Sequence, residues 1–427
     1  METATKVPDA GSPRFSLTVA EQAALDRIDD RGASMIETVK DWSETNSGSF
    51  NAAGLEAMRA KIEEAFGELG GEIEVVELAP LERVRADGEI EQVPLTPAIR
   101  VTKRPDAPVQ VALTGHHDTV FPADDSFQSV REIDEDTLGG PGVADMKGGL
   151  IVMREALAAF ERSPNVDKLG WQVLISPDEE IGSHGSGPHL AALGARSHLG
   201  MTYEPALADG SLAGARKGSG NFTLIARGRA AHAGREHHLG RNALVAAAWF
   251  ANALDDLNGQ REGVTFNVAK FDGGGPLNAV PDLGVCRFNV RMPLEEDMAW
   301  AKAEIERLTA ETDARDGIEA RLHGGFTRPP KPMHPKNEAV FGLVRAAGEL
   351  IGVNVNWKDT GGVCEGNNLW AAGCPNVDTL GVRGGAIHSH DEFVRLSSFV
   401  ERARLSAVML MKIASGEFDA VRVRGAL

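Results

Sequence analysis

The sequence predicts an α/β fold in which a mixed sheet, flanked by helices, is interrupted by a smaller inserted α+β unit. Two observations support this interpretation. Short apolar runs alternate with helical patterns and end at glycines or charged residues, as strands and helices do in α/β proteins. In addition, the 427 residues exceed the usual size of one compact core, so we expect two domains.

The charge balance separates the inserted unit from the rest of the chain. Residues 216–328 contain 15 Lys and Arg against 15 Asp and Glu, which leaves 29 against 47 elsewhere. The formal charge of −18 therefore lies entirely outside this block. Such an acidic chain is unsuited to broad contact with nucleic acid or an anionic membrane, and we expect neither as a partner.

Three features favour a cytoplasmic protein. No apolar run approaches the roughly 18 residues that a membrane-spanning helix needs. Residues 1–15 lack an apolar segment behind positive charge, so we expect a mobile arm and no signal peptide. Cys286, Cys364 and Cys374 are odd in number and are not spaced as a zinc ribbon, which is typical of free thiols in a reducing compartment.

Apolar periodicity assigns the elements outside the insertion. Helical spacing with capping residues or glycines at its ends marks the helices, and alternating or continuous apolar runs mark the strands. The predicted helices are residues 18–42, 52–69, 149–162, 337–350 and 397–414, and the predicted strands are residues 72–78, 98–102, 109–115, 170–176 and 199–202. The acidic segment 81–94 is predicted to be a surface hairpin or loop.

The inserted unit has a different order of elements. Its predicted strands are residues 221–226, 264–271, 284–291 and 318–322, and its predicted helices are residues 242–257 and 294–311. The β-α-β-β-α-β order is that of the ferredoxin-like split unit. We therefore divide the chain into a main domain in two parts, 1–215 and 329–427, and an inserted domain, 216–328. The proline-rich segment 328–332 is the expected linker.

Histidines and carboxylates follow the predicted strands, at the edge where open α/β sheets place their chemistry. Taken singly, each is an ordinary turn or capping residue. Three consecutive acids after one strand, however, repel one another unless a cation lies among them. Imidazoles with carboxylates form a ligand set that suits zinc, with manganese or cobalt as alternatives. The candidates are His116, Asp118, Asp145, Glu179, Glu180, Glu204 and His388.

Seven motifs occur in order along the chain: GHHDTV, GGPGVADMKGG, DEEIGSHGS, YEP, GRAAHAG, NAVPD and AIHSHDEF. Together they resemble the co-catalytic zinc aminoacylase and carboxypeptidase family, nearest to its glutamate carboxypeptidase branch. The family includes acetylornithine deacetylase and succinyl-diaminopimelate desuccinylase, and the resemblance extends over nearly the whole chain. It implies a catalytic main domain with a zinc-exopeptidase-like mixed sheet, and an insertion that serves as a dimerisation or lid domain.

The resemblance also implies two Zn²⁺ per subunit, with Co²⁺ or Mn²⁺ as alternatives. His116 and Glu204 would hold one ion. Glu180 and His388 would hold the other, and Asp145 would bridge the two. The family often has a cis peptide after the bridging aspartate, so we expect the bond that follows Asp145 to be cis.

Two further carboxylates take catalytic roles by resemblance. Glu179 matches the general base, which takes a proton from the attacking water and returns it to the departing amine. Asp118 matches the carboxylate that orients His116.

Residues of the insertion and of one loop are expected to act on the substrate. His232 of GRAAHAG resembles the histidine that reaches the active site of the partner subunit and stabilises the oxyanion, which implies a homodimer built through the inserted domain. Asn278 and Arg291 match positions that hold the substrate's carboxylate, a task for which the planar guanidinium is suited. Gly362 lies in the family's glycine-rich substrate loop.

Other polar residues are predicted to lie outside the site. Cys364 is more typical of packing than of catalysis. Arg216, Lys217 and Arg287 could assist anion binding, but basic residues at strand edges usually face solvent, and we expect these three to do so. Surface or supporting positions are expected for His117, His184, His237, His238 and His390.

The sequence therefore predicts a metal-dependent hydrolase that cleaves an amide bond and releases a C-terminal residue, Glu or Asp, from a small peptide or acyl-amino acid. The alternative is an N-acyl-amino-acid deacylase of the acetylornithine deacetylase type, which uses the same centre. A metal-free relative that keeps the fold for binding is disfavoured. Such a protein would normally lose a ligand or the base, and here every one is present.

Overall fold

The computed structural model describes residues 15–425, so the predicted mobile arm, apart from Phe15, lies outside the described residues. The helices are α1 (Val19–Asp29), α2 (Gly32–Ser43), α3 (Ala52–Gly67), α4 (Lys147–Phe160), α5 (Gly187–Arg196), α6 (Ala243–Asp255), α7 (Glu295–Asp313), α8 (Pro335–Leu350), α9 (Glu365–Ala371), α10 (Ser398–Ala414) and α11 (Ala420–Gly425). None of these helices is long and apolar enough to cross a lipid bilayer.

The strands range from two to ten residues in length. They are β1 (Glu72–Val76), β2 (Leu81–Val84), β3 (Ile90–Val93), β4 (Ala98–Lys103), β5 (Val109–His116), β6 (Arg131–Asp134), β7 (Thr137–Gly139), β8 (Leu169–Ser176), β9 (Leu199–Thr202), β10 (Leu212–Arg216), β11 (Gly218–Arg227), β12 (Ala231–His232), β13 (Thr265–Gly273), β14 (Ala279–Val280), β15 (Leu283–Met292), β16 (Glu319–Arg328), β17 (Trp357–Thr360), β18 (Asn376–Val377), β19 (Gly384–Gly385) and β20 (Phe393–Arg395).

A six-stranded mixed sheet lies at the centre of the main domain, with the strand order β1-β4-β8-β5-β9-β18. β5 pairs in parallel with β8 on one side and with β9 on the other, whereas β4 runs antiparallel to β8. The carboxyl ends of β8, β5 and β9 therefore meet at one edge. This sheet, with helices packed against it, confirms the predicted α/β fold.

Two helices, α4 and α10, are buried along nearly their whole length and pack against each other in the main core. A helix that is apolar on almost every side is expected to be buried, as α4 is. The parallel strands contribute continuous apolar runs to the same core. Val111, Leu113, Val173 and Ile175 are fully buried in it.

The insertion forms a second sheet of four antiparallel strands in the order β13-β15-β11-β16. α6 and α7 cover one face through an apolar cluster that includes Phe250, Phe288 and Ile305. The elements follow the predicted β-α-β-β-α-β order. The chain enters at Arg216 and leaves at Lys331, whose backbones are paired by N–H···O bonds of 2.8 and 3.0 Å. The exact domain boundaries and the role in dimerisation stay predictions.

The acidic segment is a hairpin, one of the two predicted alternatives, and is formed by β2 and β3. It extends from the main domain onto the inserted sheet, where Val84 packs with Ile225 and Val285. Arg287, which we expected to face solvent, donates to the backbone oxygen of Val84 at 2.9 Å. The hairpin therefore links the two parts of the molecule away from the covalent crossings.

The helix predicted over residues 18–42 is in fact two helices, α1 and α2. Thr18 and Glu21 form a capping box at the start of α1. At the other end, the backbone N–H of Arg31 donates to the backbone oxygen of Ile28, and the helix ends there. The guanidinium of Arg31 then reaches Glu155 of α4 at 3.3 Å. Apolar spacing continues through the break because both helices face the same core.

Candidate metal centre

Three parallel strands deliver side chains to one edge of the main sheet. β5 ends at His116, which lies directly beside Ser176, the last residue of β8. Glu179 follows Ser176 by three residues, and Glu204 follows the end of β9 by two. The loops after the three strands therefore start close together and bring their charged residues to one place.

Asp145 lies at the centre of this cluster. Its Oδ1 is 3.2 Å from Nε2 of His116, and its Oδ2 is 3.2 Å from Nε2 of His388. Nε2 of His388 is also 3.2 Å from Oε2 of Glu180, and Nε2 of His116 is 3.7 Å from Oε1 of Glu204. Nε2 of each imidazole thus lies beside Asp145 and beside one further carboxylate, Glu204 for His116 and Glu180 for His388. The peptide bond after Asp145 is cis, as expected.

Asp145 and His388 do not come from the main sheet. Asp145 lies in the turn between β7 and α4, and His388 lies in the loop between β19 and β20. β7, β19 and β20 belong to a separate four-stranded sheet. The expectation that all the candidates follow strands of one sheet is therefore wrong for these two. His388 also differs in exposure, since 53% of its side chain is accessible whereas that of Asp145 is buried.

Asp118 is fully buried and connects several parts of the site. Its Oδ1 is 3.3 Å from Nδ1 of His116. Its two carboxylate oxygens accept the backbone N–H groups of Glu179 and Glu180 at 3.1 and 3.2 Å, and Oδ2 also accepts the hydroxyl of Ser49 at 2.8 Å. Because Nδ1 of His116 faces Asp118, its Nε2 faces the acidic cluster.

Glu179 is paired with an arginine that the sequence did not indicate. Nη2 of Arg328 donates to Oε1 of Glu179 at 2.6 Å, and Nη1 donates to Asn368 at 2.9 Å. The Arg328 side chain is buried, and its Nε has no hydrogen-bond partner among the described residues. In the sequence Arg328 marked only the start of a linker. No motif or periodicity relates it to a residue 149 positions away.

Burial and crowding shift the pKa values of the cluster. Burial, reinforced by the charge of Asp145, raises the pKa of Glu180 to about 8 and that of Glu204 to about 7. Hydrogen bonds to Asp145 and Glu180 raise the pKa of His388 to about 11. Burial alone would lower the pKa of His116, but its carboxylate partners raise it well above the usual range. The cluster on its own therefore retains protons that a divalent cation would replace.

The donor set fits a metal centre. In two groups of three residues, the ligand atoms lie within 4.8 Å of one another. The first group is His116, Asp145 and Glu180, and the second is His116, Glu179 and Glu204. Imidazole nitrogens with carboxylate oxygens suit zinc and related ions. Glu179 belongs to the second group by distance, although one of its oxygens is engaged by Arg328.

His232 and Asn278 lie together in the insertion. β12, which contains His232, pairs with β14, and the backbone N–H of Ala233 donates to the oxygen of Asn278 at 2.8 Å. Nδ1 of the exposed His232 accepts the N–H groups of Gly234 and Arg235 at 3.1 and 3.2 Å. Within residues 15–425, no hydrogen bond of His232 or Asn278 reaches the cluster.

Arg291 projects from the same face of the inserted sheet as Arg328. Both are paired with Ser219 of β11, one on each side, and opposed residues of antiparallel strands share a face. Nε of Arg291 donates to Asn289 at 3.0 Å, and its buried Nη1 has no hydrogen-bond partner in the described part of the chain. Burial and the nearby Arg328 lower the pKa of Arg291.

The loop that contains Gly362 lies near a buried ion cluster. A Cβ atom at the exposed Gly362 would be 3.6 Å from Nη1 of Arg216. Our expectation that Arg216 faces solvent is wrong, because its Nε and Nη2 each donate to Asp378 at 2.9 Å and its side chain is buried. Nζ of Lys331 donates to the same carboxylate at 2.6 Å. A buried partner 162 positions away has no local signature in the sequence.

The residues without a predicted role differ in environment. His117 is fully buried, not at the surface, and neither ring nitrogen has a hydrogen-bond partner among the described residues. Burial lowers its pKa to about 4. His237 and His238 are exposed. Cys364 is buried at the start of α9, where its Sγ accepts the N–H of Gly366 at 3.3 Å, which is a packing and capping role.

Known proteins share both the sequence pattern and the fold. The family model described as peptidase family M20/M25/M40 matches residues 112–412. Carboxypeptidase G2 from Pseudomonas sp. (strain RS-16) is 26% identical over 311 residues, which cover 71% of this chain and 74% of that protein. Succinyl-diaminopimelate desuccinylase 2 from Shewanella loihica is 27% identical over 326 residues, covering 72% and 86%.

The fold is also similar to that of a solved dipeptidase, Dug1p from Saccharomyces cerevisiae. The TM-score is 0.70 at 15% identity, and the match covers 93% of this chain and 99% of that one. At this identity the likeness concerns the fold alone. Taken with the family match over most of the chain, it leads to one conclusion: the chain belongs to the M20/M25/M40 peptidase family and is a metal-dependent hydrolase that acts on peptide or amide bonds.

Proposed function

We propose that this protein is a two-zinc exopeptidase that releases a C-terminal Glu or Asp from a peptide or an acyl-amino acid. The observation that carries the proposal is the position of Asp145. Each of its oxygens lies 3.2 Å from Nε2 of a different histidine, and each histidine has a second carboxylate beside it. A carboxylate in that position is suited to bridge two cations.

In this proposal His116 and Glu204 hold one ion. Glu180 and His388 hold the other, and Asp145 is shared. When bound, the ions polarise the scissile carbonyl and lower the pKa of the attacking water. Co²⁺ and Mn²⁺ are alternatives, because they accept the same nitrogen and oxygen donors.

Glu179 acts as the general base. Arg328 holds Oε1 of Glu179 at 2.6 Å, which fixes the carboxylate and leaves Oε2 to accept a proton from water. Glu179 then returns the proton to the departing amine. Asp118 supports this role, because it accepts the backbone N–H of Glu179 and so fixes the loop that carries the base.

The preference for an acidic residue rests on two arginines. A C-terminal Glu or Asp carries two carboxylates, and the inserted sheet has two guanidinium groups on one face. Nη1 of Arg291 is a buried donor without a hydrogen-bond partner in the described chain, whereas Arg328 is bound to Glu179 and contributes its positive charge beside the same face. A guanidinium is the best-suited side chain for a carboxylate. Asn278 and Gly362 are proposed as further substrate contacts.

We also propose a homodimer formed through the inserted domain. The hydrogen bonds of the exposed His232 stay within its own loop in the described chain, which leaves its Nε2 available to a second copy. Val245 and Leu277 of the same domain are exposed apolar side chains that such a copy would cover. In the dimer, His232 of the partner subunit donates to the oxyanion that forms during hydrolysis.

A second candidate is an N-acyl-amino-acid deacylase. The observation that favours it is the 27% identity to a succinyl-diaminopimelate desuccinylase over most of both chains. Both activities would use the same metal cluster and the same base. They differ in what lies on the acyl side of the cleaved bond.

One panel of substrates separates the two candidates. Metal-free protein is reconstituted with zinc, cobalt or manganese. It is incubated with the dipeptides Ala-Glu, Ala-Asp, Ala-Ala and Ala-Lys, with the N-acetyl derivatives of Glu, Asp, Ala and Lys, and with N-acetylornithine. The released amino acid is measured. We expect kcat/KM for the acidic dipeptides to exceed that for Ala-Ala and Ala-Lys by at least about tenfold, or ~1.4 kcal/mol. Cleavage of the acetyl compounds alone would favour the deacylase, and no cleavage with any metal would contradict both candidates.

A further inference from the structure

We propose that Glu392 is a positioning residue that joins the loop of Asp145 to the loop of His388 and thereby sets the affinity of the metal pair. The inference rests on the proposed two-metal site and adds a residue that binds neither ion nor substrate. It concerns how the two ligand loops, which come from distant parts of the chain, are held in a fixed position relative to each other.

The carboxylate of Glu392 is a hydrogen-bond acceptor for one turn. Oε1 accepts the backbone N–H groups of Ala144 and Asp145, both at 3.0 Å, and Oε2 accepts the N–H of Gly142 at 3.1 Å. The turn is buried throughout, and so is Glu392, which is 1% exposed. Buried N–H groups are costly without a partner. The turn that carries Asp145 therefore depends on this one side chain.

Glu392 belongs to the other ligand loop. It lies four residues after His388, and its own backbone N–H donates to Ser389 at 3.1 Å, which closes the loop. Its backbone oxygen accepts the N–H of Gly140 at 3.2 Å. Main chain and side chain of one residue therefore tie residues 140–145 to the segment that presents His388. Oδ2 of Asp145 and Nε2 of His388, which lie on these two segments, are 3.2 Å apart.

A residue that holds the ligand loops in place before the metal binds raises metal affinity, because less conformational entropy is then lost on binding. Removal of such a supporting hydrogen bond typically costs about 10- to 100-fold in metal affinity. Glu392→Gln keeps the size of the side chain but only one of its two acceptor oxygens. The amide oxygen can still accept Ala144 and Asp145, whereas the NH₂ group meets the N–H of Gly142, donor against donor.

A matched control lies next to it in the chain. Asp391 has a side chain that is 85% exposed and pairs with Arg131 at 3.2 Å on the surface. Asp391→Asn removes one negative charge from the same loop without touching the turn of Asp145. Any general effect of charge on cation binding therefore appears in both variants, and the effect of the turn appears only in Glu392→Gln.

The experiment measures zinc binding to the metal-free full-length protein by competition with a chelator, together with the melting temperature of the metal-free protein. We expect two zinc ions for the unmodified protein. In Glu392→Gln the affinity for at least one ion should fall about 10- to 100-fold. Asp391→Asn should stay within about twofold. If Glu392→Gln does not fold, Glu392→Asp serves instead, because it keeps the charge but is too short to reach all three N–H groups.

Two outcomes would overturn the inference. One is an affinity for both ions in Glu392→Gln within twofold of the unmodified protein. The other is an equal loss in Asp391→Asn, which would reduce the effect to charge. A purely structural role for Glu392 predicts a lower melting temperature with unchanged affinity. If the unmodified protein binds a single ion, the proposed two-metal function fails, and the affinity ratio for that ion still decides the role of Glu392.

Discussion

Asp378 offers a sharp test of how the insertion is anchored. Its carboxylate accepts Nε and Nη2 of Arg216 at 2.9 Å and Nζ of Lys331 at 2.6 Å. All three side chains are buried. Arg216 and Lys331 lie on the two segments that cross between the main and inserted parts, so one carboxylate fixes both crossings.

The substitution Asp378→Asn should be strongly destabilising. It leaves two buried cations beside a neutral amide, and removal of one partner from a buried ion pair costs about 3–5 kcal/mol. For a chain of 427 residues the melting temperature should fall by about 3–6 °C. The control is Asp209→Asn. Asp209 pairs with Lys358 at 2.7 Å, but both side chains are more than half exposed, so the loss should be about 0–1 kcal/mol.

The effect of Asp378→Asn should also depend on pH. Burial alone would raise the pKa of Asp378, but Arg216 and Lys331 lower it below its ordinary value of 3.8. A carboxyl with a lowered pKa stabilises the fold above its unfolded pKa, and this contribution is lost as the pH falls through its folded pKa. The difference in melting temperature between the unmodified protein and Asp378→Asn should therefore shrink as the pH falls. Melting followed by circular dichroism at pH 7 and at progressively lower pH measures it. A melting temperature at pH 7 within about 2 °C of that of Asp209→Asn would refute the reasoning.

Three further predictions concern the site itself. Glu179→Gln should keep its bound zinc, measured by atomic absorption, while turnover falls by about 10²–10⁴-fold; normal turnover would reject the assigned base. His232→Ala should lower turnover by about 10²-fold or more without changing the melting temperature, and normal kinetics would count against a shared oxyanion site. In metal-free protein, raised pKa values of Glu180 (about 8), Glu204 (about 7) and His388 (about 11) give stability that is present at low pH and lost as the pH rises through those values. Metal-free protein should therefore have a lower melting temperature at pH 9 than at pH 6, and bound zinc should reduce this difference. An equal difference in melting temperature with and without zinc would contradict the prediction.

Local sequence patterns predicted much of the fold. Buried parallel strands give continuous apolar runs, and the run that became β9 was predicted with its observed bounds, Leu199–Thr202. The acidic hairpin and the order of elements in the insertion follow from patterns of the same kind. The cluster at His116, Glu180 and Glu204 could be anticipated, because the ends of neighbouring parallel strands meet at one edge.

Such local patterns could not predict which buried charged residues pair with partners far away in the sequence. Arg328 with Glu179 and Arg216 with Asp378 are buried contacts between residues far apart in sequence, and an arginine at a domain crossing looks like a surface residue until its partner is known. Glu392 lies in the quoted motif AIHSHDEF, but nothing in its spacing indicates that it binds the turn of Asp145. The break between α1 and α2 was hidden for a different reason: the apolar face is continuous across it.

The most direct measurement is a crystal structure of zinc-loaded protein with anomalous data collected at the zinc edge. The account predicts two peaks per subunit, both beside Asp145. One should be ligated by His116 and Glu204 and the other by Glu180 and His388. A single peak, or peaks that do not share Asp145, would contradict the central claim.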